Sequence, residues 1–277
     1  MDAIPLPFYE VVPLNEIGPG VRGLRILFVN VFAISGPSGW TLVDTGLYLS
    51  ARKIRHWAEN HFGKDNKPEA IILTHGHFDH VGAIKELLHE WNVPVYAHPA
   101  EFPYLTGHQK YPPPDSSVGG GLMAVISPLY PRTSADLGGK VTALPDDGSV
   151  PGLPDWRWMH TPGHAPGHIS LYRADDKLML PGDAFCTTKQ ESFLAVAKQK
   201  PELHGPPSYY TPDWDAARTS VEALSKLCPR TIAPAHGLPM CGDEVADQLV
   251  RLAINFDHFA LPEHGKYVRK SATASAS

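Results

Sequence analysis

Residues 74–82 read Thr-His-Gly-His-Phe-Asp-His-Val-Gly and place His75, His77, Asp79 and His80 within six positions. Imidazole nitrogens and carboxylate oxygens are the donors that zinc and similar divalent cations take. The chemistry this stretch offers is therefore metal binding. Further candidate donors follow the same habit of standing at a turn. Asp44 closes Trp-Thr-Leu-Val-Asp (40–44), Asp183 closes Leu-Met-Leu-Pro-Gly-Asp (178–183), and His236 closes Thr-Ile-Ala-Pro-Ala-His (231–236). The string His-Thr-Pro-Gly-His-Ala-Pro-Gly-His (160–168) adds His164 between His160 and His168. Together these donors suffice for two cations. An isolated histidine more often packs or hydrogen-bonds, which is how His56, His61, His89, His98, His108, His204, His258 and His264 read. His160 and His168 read the same way, because a strand begins at His168.

The elements around these residues explain how they could converge. Residues 69–74 form a short apolar run of the buried-strand type, and residues 81–89 carry apolar side chains at helical spacing. The histidine cluster thus lies on a strand-to-helix turn, where layered α/β folds keep their reactive groups. Residues 21–44 predict a hairpin of one strand over 21–35, a Gly-Pro-Ser-Gly turn and a second strand over 40–44. A helix is expected over 48–62, stopped by Gly63. A strand over 93–98, a short helix over 101–105 and a Pro/Gly-rich loop over 107–122 come next; loops of that length are commonly functional. Later expectations are strands over 156–159 and from 168, a helix over 214–227 and a last helix over 248–259. Residues 1–270 read as one domain of two similar halves, and the low-complexity stretch 271–277 as a disordered tail.

In this order and spacing, the motifs resemble those of the metallo-β-lactamase superfamily, over roughly residues 20–265. The resemblance implies an α/β fold, a four-layer αββα sandwich with metals at one edge. It assigns His75, His77 and His164 to one cation, Asp79, His80 and His236 to a second, and Asp183 to both. Asp44 is implied to orient the histidine turn from behind, and His168, at the start of its strand, is expected to support the ligands without being one. A bridging aspartate is similar to the glyoxalase II, lactonase and ribonuclease Z branches. The implied cofactor is a pair of divalent ions, zinc first, with iron or manganese also accepted by such donors. The implied activity is hydrolysis of a carboxylic ester, lactone or thioester by a hydroxide shared between the metals, with Asp79 and Asp183 as catalytic residues. Phe185, Cys186, Tyr209 and Tyr210 are candidates for the substrate pocket. Quorum-quenching lactonases carry a tyrosine three residues past the bridging aspartate, where this chain has Cys186. Two alternatives use much of the same motif set: a persulfide dioxygenase with one iron on His75, His164 and Asp183, and a phosphodiesterase.

Composition narrows the partners. The chain has 277 residues, 43% of them hydrophobic, enough for a sizeable α/β core, and a formal net charge of −5. No basic run or basic-aromatic stripe offers phosphate neutralisation, so a small-molecule substrate is expected and nucleic acid is not. The three cysteines (Cys186, Cys228 and Cys241) lack paired spacing and read as reduced thiols. The apolar stretch 24–34 is too short to cross a membrane and contains Arg25 and Asn30. A cytoplasmic enzyme is expected, with homo-oligomerisation left open.

Overall fold

The computed structural model describes residues 10–199 and 201–268; the expected tail at 271–277 lies outside them. The first strand is β1 (Glu10–Val11), and one sheet is built from the next six, β2 (Val21–Ile26), β3 (Val29–Ser35), β4 (Trp40–Val43), β5 (Ala70–Ile72), β6 (Val95–Ala97) and β7 (Val141–Ala143). The other takes β1 together with β8 (Ser149–Val150), β9 (Leu153–His160), β10 (Ile169–Arg173), β11 (Leu178–Leu180), β12 (Thr231–Ile232) and β13 (Met240–Cys241). Their strand orders are β2-β3-β4-β5-β6-β7 and β1-β13-β12-β11-β10-β9-β8. In each sheet a parallel pair lies in the interior, β4 with β5 and β11 with β12. Parallel strands need crossovers that cover a face with helices.

Side-chain alternation along the strands shows how the layers assemble. Val29, Val31 and Ala33 of β3 face one core, shared with Ile54 of α1 (Ala51–Phe62) and with Leu87. Phe32 and Ile34, on the opposite face of β3, join a second core with Trp156, Ile169 and Leu171 of the other sheet. Met179 and Ile232 point away from that interface into a third core, against Val221 and Leu249. Three apolar cores therefore separate four layers, helix, sheet, sheet and helix, as expected for the αββα sandwich.

Local departures have identifiable causes. The strand expected over 21–35 is two strands, paired antiparallel from Ile26↔Val29 to Val21↔Ile34. The chain reverses at Leu27, whose φ is +57° without glycine or asparagine to signal it. The helix expected from 81 to 89 is split into α2 (Phe78–Val81) and α3 (Ile84–Trp91), with His77 as the residue before α2. Two short helices occupy the end of the long loop region and beyond its start: α4 (Phe102–Leu105) precedes it and α5 (Leu122–Ile126) closes it. The helix α6 (Phe193–Lys198) precedes α7 (Trp214–Ser225), and the expected last helix is α8 (Glu244–Ile254) followed by α9 (Phe256–Phe259). Among the described residues no helix is long and apolar enough to cross a membrane.

Candidate metal centre

The carboxyl ends of β4, β5, β11 and β12 open onto one edge of the sandwich, so residues far apart in sequence meet there. Three donor groups form, each with its ligand atoms within 4.8 Å of one another: His75 with His77 and His164; His75 with His80 and Asp183; and Asp79 with His80 and His236. His77 Nδ1 lies 2.9 Å from both His75 Nε2 and His164 Nε2. Asp183 Oδ2 lies 3.2 Å from His164 Nε2 and 3.2 Å from His236 Nε2, while its Oδ1 is 3.6 Å from His80 Nε2. Asp79 completes the far side, 3.5 Å from His236 Nε2.

The backs of these rings are fastened. His80 Nδ1 donates to Asp44 Oδ2 at 2.8 Å, and His236 Nδ1 donates to the Phe28 carbonyl at 2.9 Å. His75 Nδ1 lies 3.1 Å from the Thr74 hydroxyl, which itself donates to Asp44 Oδ2 at 2.7 Å. His164 Nδ1 faces the Thr211 hydroxyl at 3.4 Å. With Nδ1 carrying the proton in each, Nε2 keeps its lone pair towards the centre of the cluster; such partners fix tautomer and orientation at metal sites. Asp44 binds the Thr74 amide as well, at 2.8 Å, and does so from a left-handed backbone with φ +60°.

The charge states of the donors suit cations. Burial disfavours charge on His75, His77 and His164, lowering the last to about 3, so these imidazoles are held neutral with their lone pairs available. Burial also opposes charge on Asp183, but His236 and His80 outweigh it and hold the carboxyl well below its ordinary value. His80 and His236 shift upward despite burial, because Asp183 faces both. His80 Nε2 and Asp183 Oδ1 are buried without a hydrogen-bond partner. Buried polar atoms seldom go unpaired, and a bound cation would supply the missing partner. The residues fit divalent metal.

His168 stands apart. Its Nε2 accepts the Asp183 amide at 2.8 Å and its Nδ1 donates to the Thr161 carbonyl at 3.0 Å, so both nitrogens are occupied. Gly182 makes the approach feasible: its φ is +57°, and a Cβ there would come 2.5 Å from His168 Nε2. His160 turns outward to the Pro166 carbonyl.

The pocket candidates divide. Tyr210 stacks on His77, with centroids 4.7 Å apart, and Tyr209 lines the same proline- and tyrosine-walled cleft beside His77 and His164. Phe185 is a correction: it is fully buried between the second sheet and its helices, with Trp214 and Leu203, and its ring serves that core instead of the cleft. Cys186 is buried too, its backbone paired with His204, and burial beside Asp183 keeps it a thiol. Two residues that support His236 were not foreseen from the sequence. Asn30 Nδ2 donates to the Pro234 and Gly237 carbonyls, and Arg25 Nη2 donates to Gly237 at 2.7 Å, so both hold the His236 loop. A polar pair inside otherwise apolar strands was the available signal.

Comparison with known proteins agrees with this geometry. Residues 24–236 match the family described as the metallo-beta-lactamase superfamily. The chain belongs to that superfamily. "Probable metallo-hydrolase YflN" of Bacillus subtilis (strain 168) is 49% identical over 243 residues, covering 86% of this chain and 91% of the relative. "Hydroxyacylglutathione hydrolase GloC" of Haemophilus influenzae is 28% identical over 115 residues, covering 42% of this chain and 49% of the relative. A solved metallo-β-lactamase-fold neighbour, TTHA1623 in a di-iron-bound form, superposes with TM-score 0.54 at 25% identity, covering 80% of this chain and 95% of its own.

Proposed function

We propose that this metallo-β-lactamase-superfamily chain is a binuclear metal-dependent hydrolase of small molecules carrying a carboxylic ester, lactone or thioester. The observation that carries the reading is the joining of two donor groups through Asp183, one carboxylate oxygen of which faces both His164 and His236 at 3.2 Å. His75, His77 and His164 would hold one cation, Asp79, His80 and His236 the other, and Asp183 both. Zinc is the metal proposed, and iron or manganese suits the same donors. When bound, such a pair supplies Lewis acidity and a source of hydroxide at neutral pH.

The chain's own residues supply the rest. Asp183 is held ionised by His236 and His80, so both of its oxygens stay available to the cations. Asp79 balances charge on the far side. Tyr209 and Tyr210 have phenols pushed up by burial, so they remain donors and never carry charge at neutral pH. Their rings, with Tyr111 and the flanking prolines, line the cleft beside His77 and His164 with largely apolar surface, in keeping with a substrate that carries an acyl group. Among the described residues no lysine or arginine lines this cleft, which favours a carbonyl substrate over a phosphodiester. GloC, named for an acyl conjugate of glutathione, supports the thioester member of the class.

The test is an ester, lactone and thioester panel on zinc-loaded protein, with His77→Ala and Asp183→Ala as controls. Loss of hydrolysis in both folded variants is expected. Undiminished turnover in either would overturn the two-cation reading.

A further inference from the structure

Glu101 is fully buried and touches both histidine turns. It ends the turn after β6, where it precedes α4, and its side chain has no exposure to solvent. Oε2 accepts the Gly76 amide at 2.9 Å, between His75 and His77. Oε1 accepts the Gly167 amide at 2.7 Å, three residues after His164 and one before His168. The Tyr111 hydroxyl also donates to Oε2 and lies 3.0 Å from the Gly76 amide. Tyr111 then leans on the His77 ring, with centroids 4.2 Å apart, and is backed by Tyr104 stacked at 4.1 Å.

The space around the carboxylate is closed to anything larger. A Cβ on Gly76 would sit 2.6 Å from the Tyr111 oxygen, and one on Gly167 would sit 2.8 Å from Glu101 Cγ. Glycine is therefore needed at both turns, at Gly167 for the approach to Glu101 and at Gly76 for the approach to Tyr111. The two turns leave different sheets, one from β5 and the other between β9 and β10, and no covalent link keeps their separation. Yet His77 Nδ1 and His164 Nε2, contributed by those two turns, stand 2.9 Å apart.

We infer that Glu101, with Tyr111, is a positioning residue that clamps the two histidine turns together and sets the donor triangle of His75, His77 and His164. It binds no substrate and ligates no metal; it acts through the amides beside the ligands. The inference rests on the metal-centre reading above. A carboxylate is required because all three groups that face it are donors, and a neutral amide would turn an N–H towards one of them. Groups that orient metal ligands from behind change metal affinity by about 10–100-fold when replaced.

The experiment is a titration of apo protein with Co²⁺ alone, following the d–d spectrum and the number of equivalents bound, for wild type, Glu101→Gln and Tyr111→Phe. Wild type should bind two equivalents. Glu101→Gln should keep one equivalent at wild-type affinity and weaken the other about 10–100-fold, with an altered spectrum for the weakened site. Tyr111→Phe, which removes one donor and keeps the clamp, should weaken the same equivalent by a smaller factor. If Glu101→Gln does not fold, the Tyr111→Phe shift decides the matter alone. Two equivalents at unchanged affinity and spectrum in the folded variants, with only thermal stability reduced, would overturn the inference and leave the metal centre standing. A wild-type chain that binds no Co²⁺ would instead overturn the metal-centre reading.

Discussion

His168 shows why a histidine beside metal ligands need not be one. Both its nitrogens are committed, one to the Thr161 carbonyl and one to the Asp183 amide. Replacing it with alanine leaves a buried N–H unpaired, which costs about 1–3 kcal/mol. His168→Ala should therefore lower the melting temperature while retaining both cation equivalents, and loss of one equivalent would contradict the assignment. The effect has a pH signature. Burial lowers the folded-state pKa of His168 to about 4, whereas the unfolded side chain titrates near its ordinary value of 6.5. A lowered histidine pKa stabilises the fold fully above the unfolded value, and that contribution is lost as pH falls from 6.5 towards 4. The stability gap between wild type and His168→Ala should thus narrow over that window, by up to roughly 3 kcal/mol. Denaturant unfolding at pH 7.5 and pH 4.5 checks it; a gap that widens on acidification would contradict the sign.

At the scale of elements, the ends of strands decide which residues meet, and the supports behind them decide how firmly. The tight reversal between β2 and β3 delivers the Phe28 carbonyl to His236 and the Asn30 amide to the Pro234 and Gly237 carbonyls. Asn30→Ala should cost about 1–3 kcal/mol, since it strands the buried Pro234 carbonyl, while Gly237 keeps its bond from Arg25. It should also weaken the cation proposed for Asp79, His80 and His236 more than the one proposed for the other triangle. Equal weakening of both would show that the loop is not held locally. The histidine turn was legible from sequence because its donors are dense and the strand before it is apolar. Asp183 and His236 were legible only inside the full pattern of motifs. Glu101 was not, because a lone glutamate at a helix start reads as an ordinary exposed residue, and only the fold brings two turns to it. The β2–β3 reversal was hidden because Leu27 takes a left-handed backbone without a turn residue. Phe185 misled because its place beside Asp183 in sequence suggested the cleft, while its side chain alternates into the core.

For the whole molecule, the site is a joint between two sheets. His75, His77, Asp79 and His80 come from the first, and His164, Asp183 and His236 from the second, above a shared apolar core. A cation bound by both halves and not by the unfolded chain would add stability that grows with the logarithm of its concentration relative to its dissociation constant. Stripping metal with a chelator should lower the melting temperature, and zinc should restore it; a transition unmoved by either treatment would place the cations outside the joint. The measurement that tests the central claim most directly is elemental analysis of purified protein, counting zinc, iron and manganese per chain. Two metal atoms per chain, mostly zinc, is the result expected for the binuclear hydrolase. A single iron per chain would contradict it and move the site to the mononuclear dioxygenase chemistry that the same donors can support.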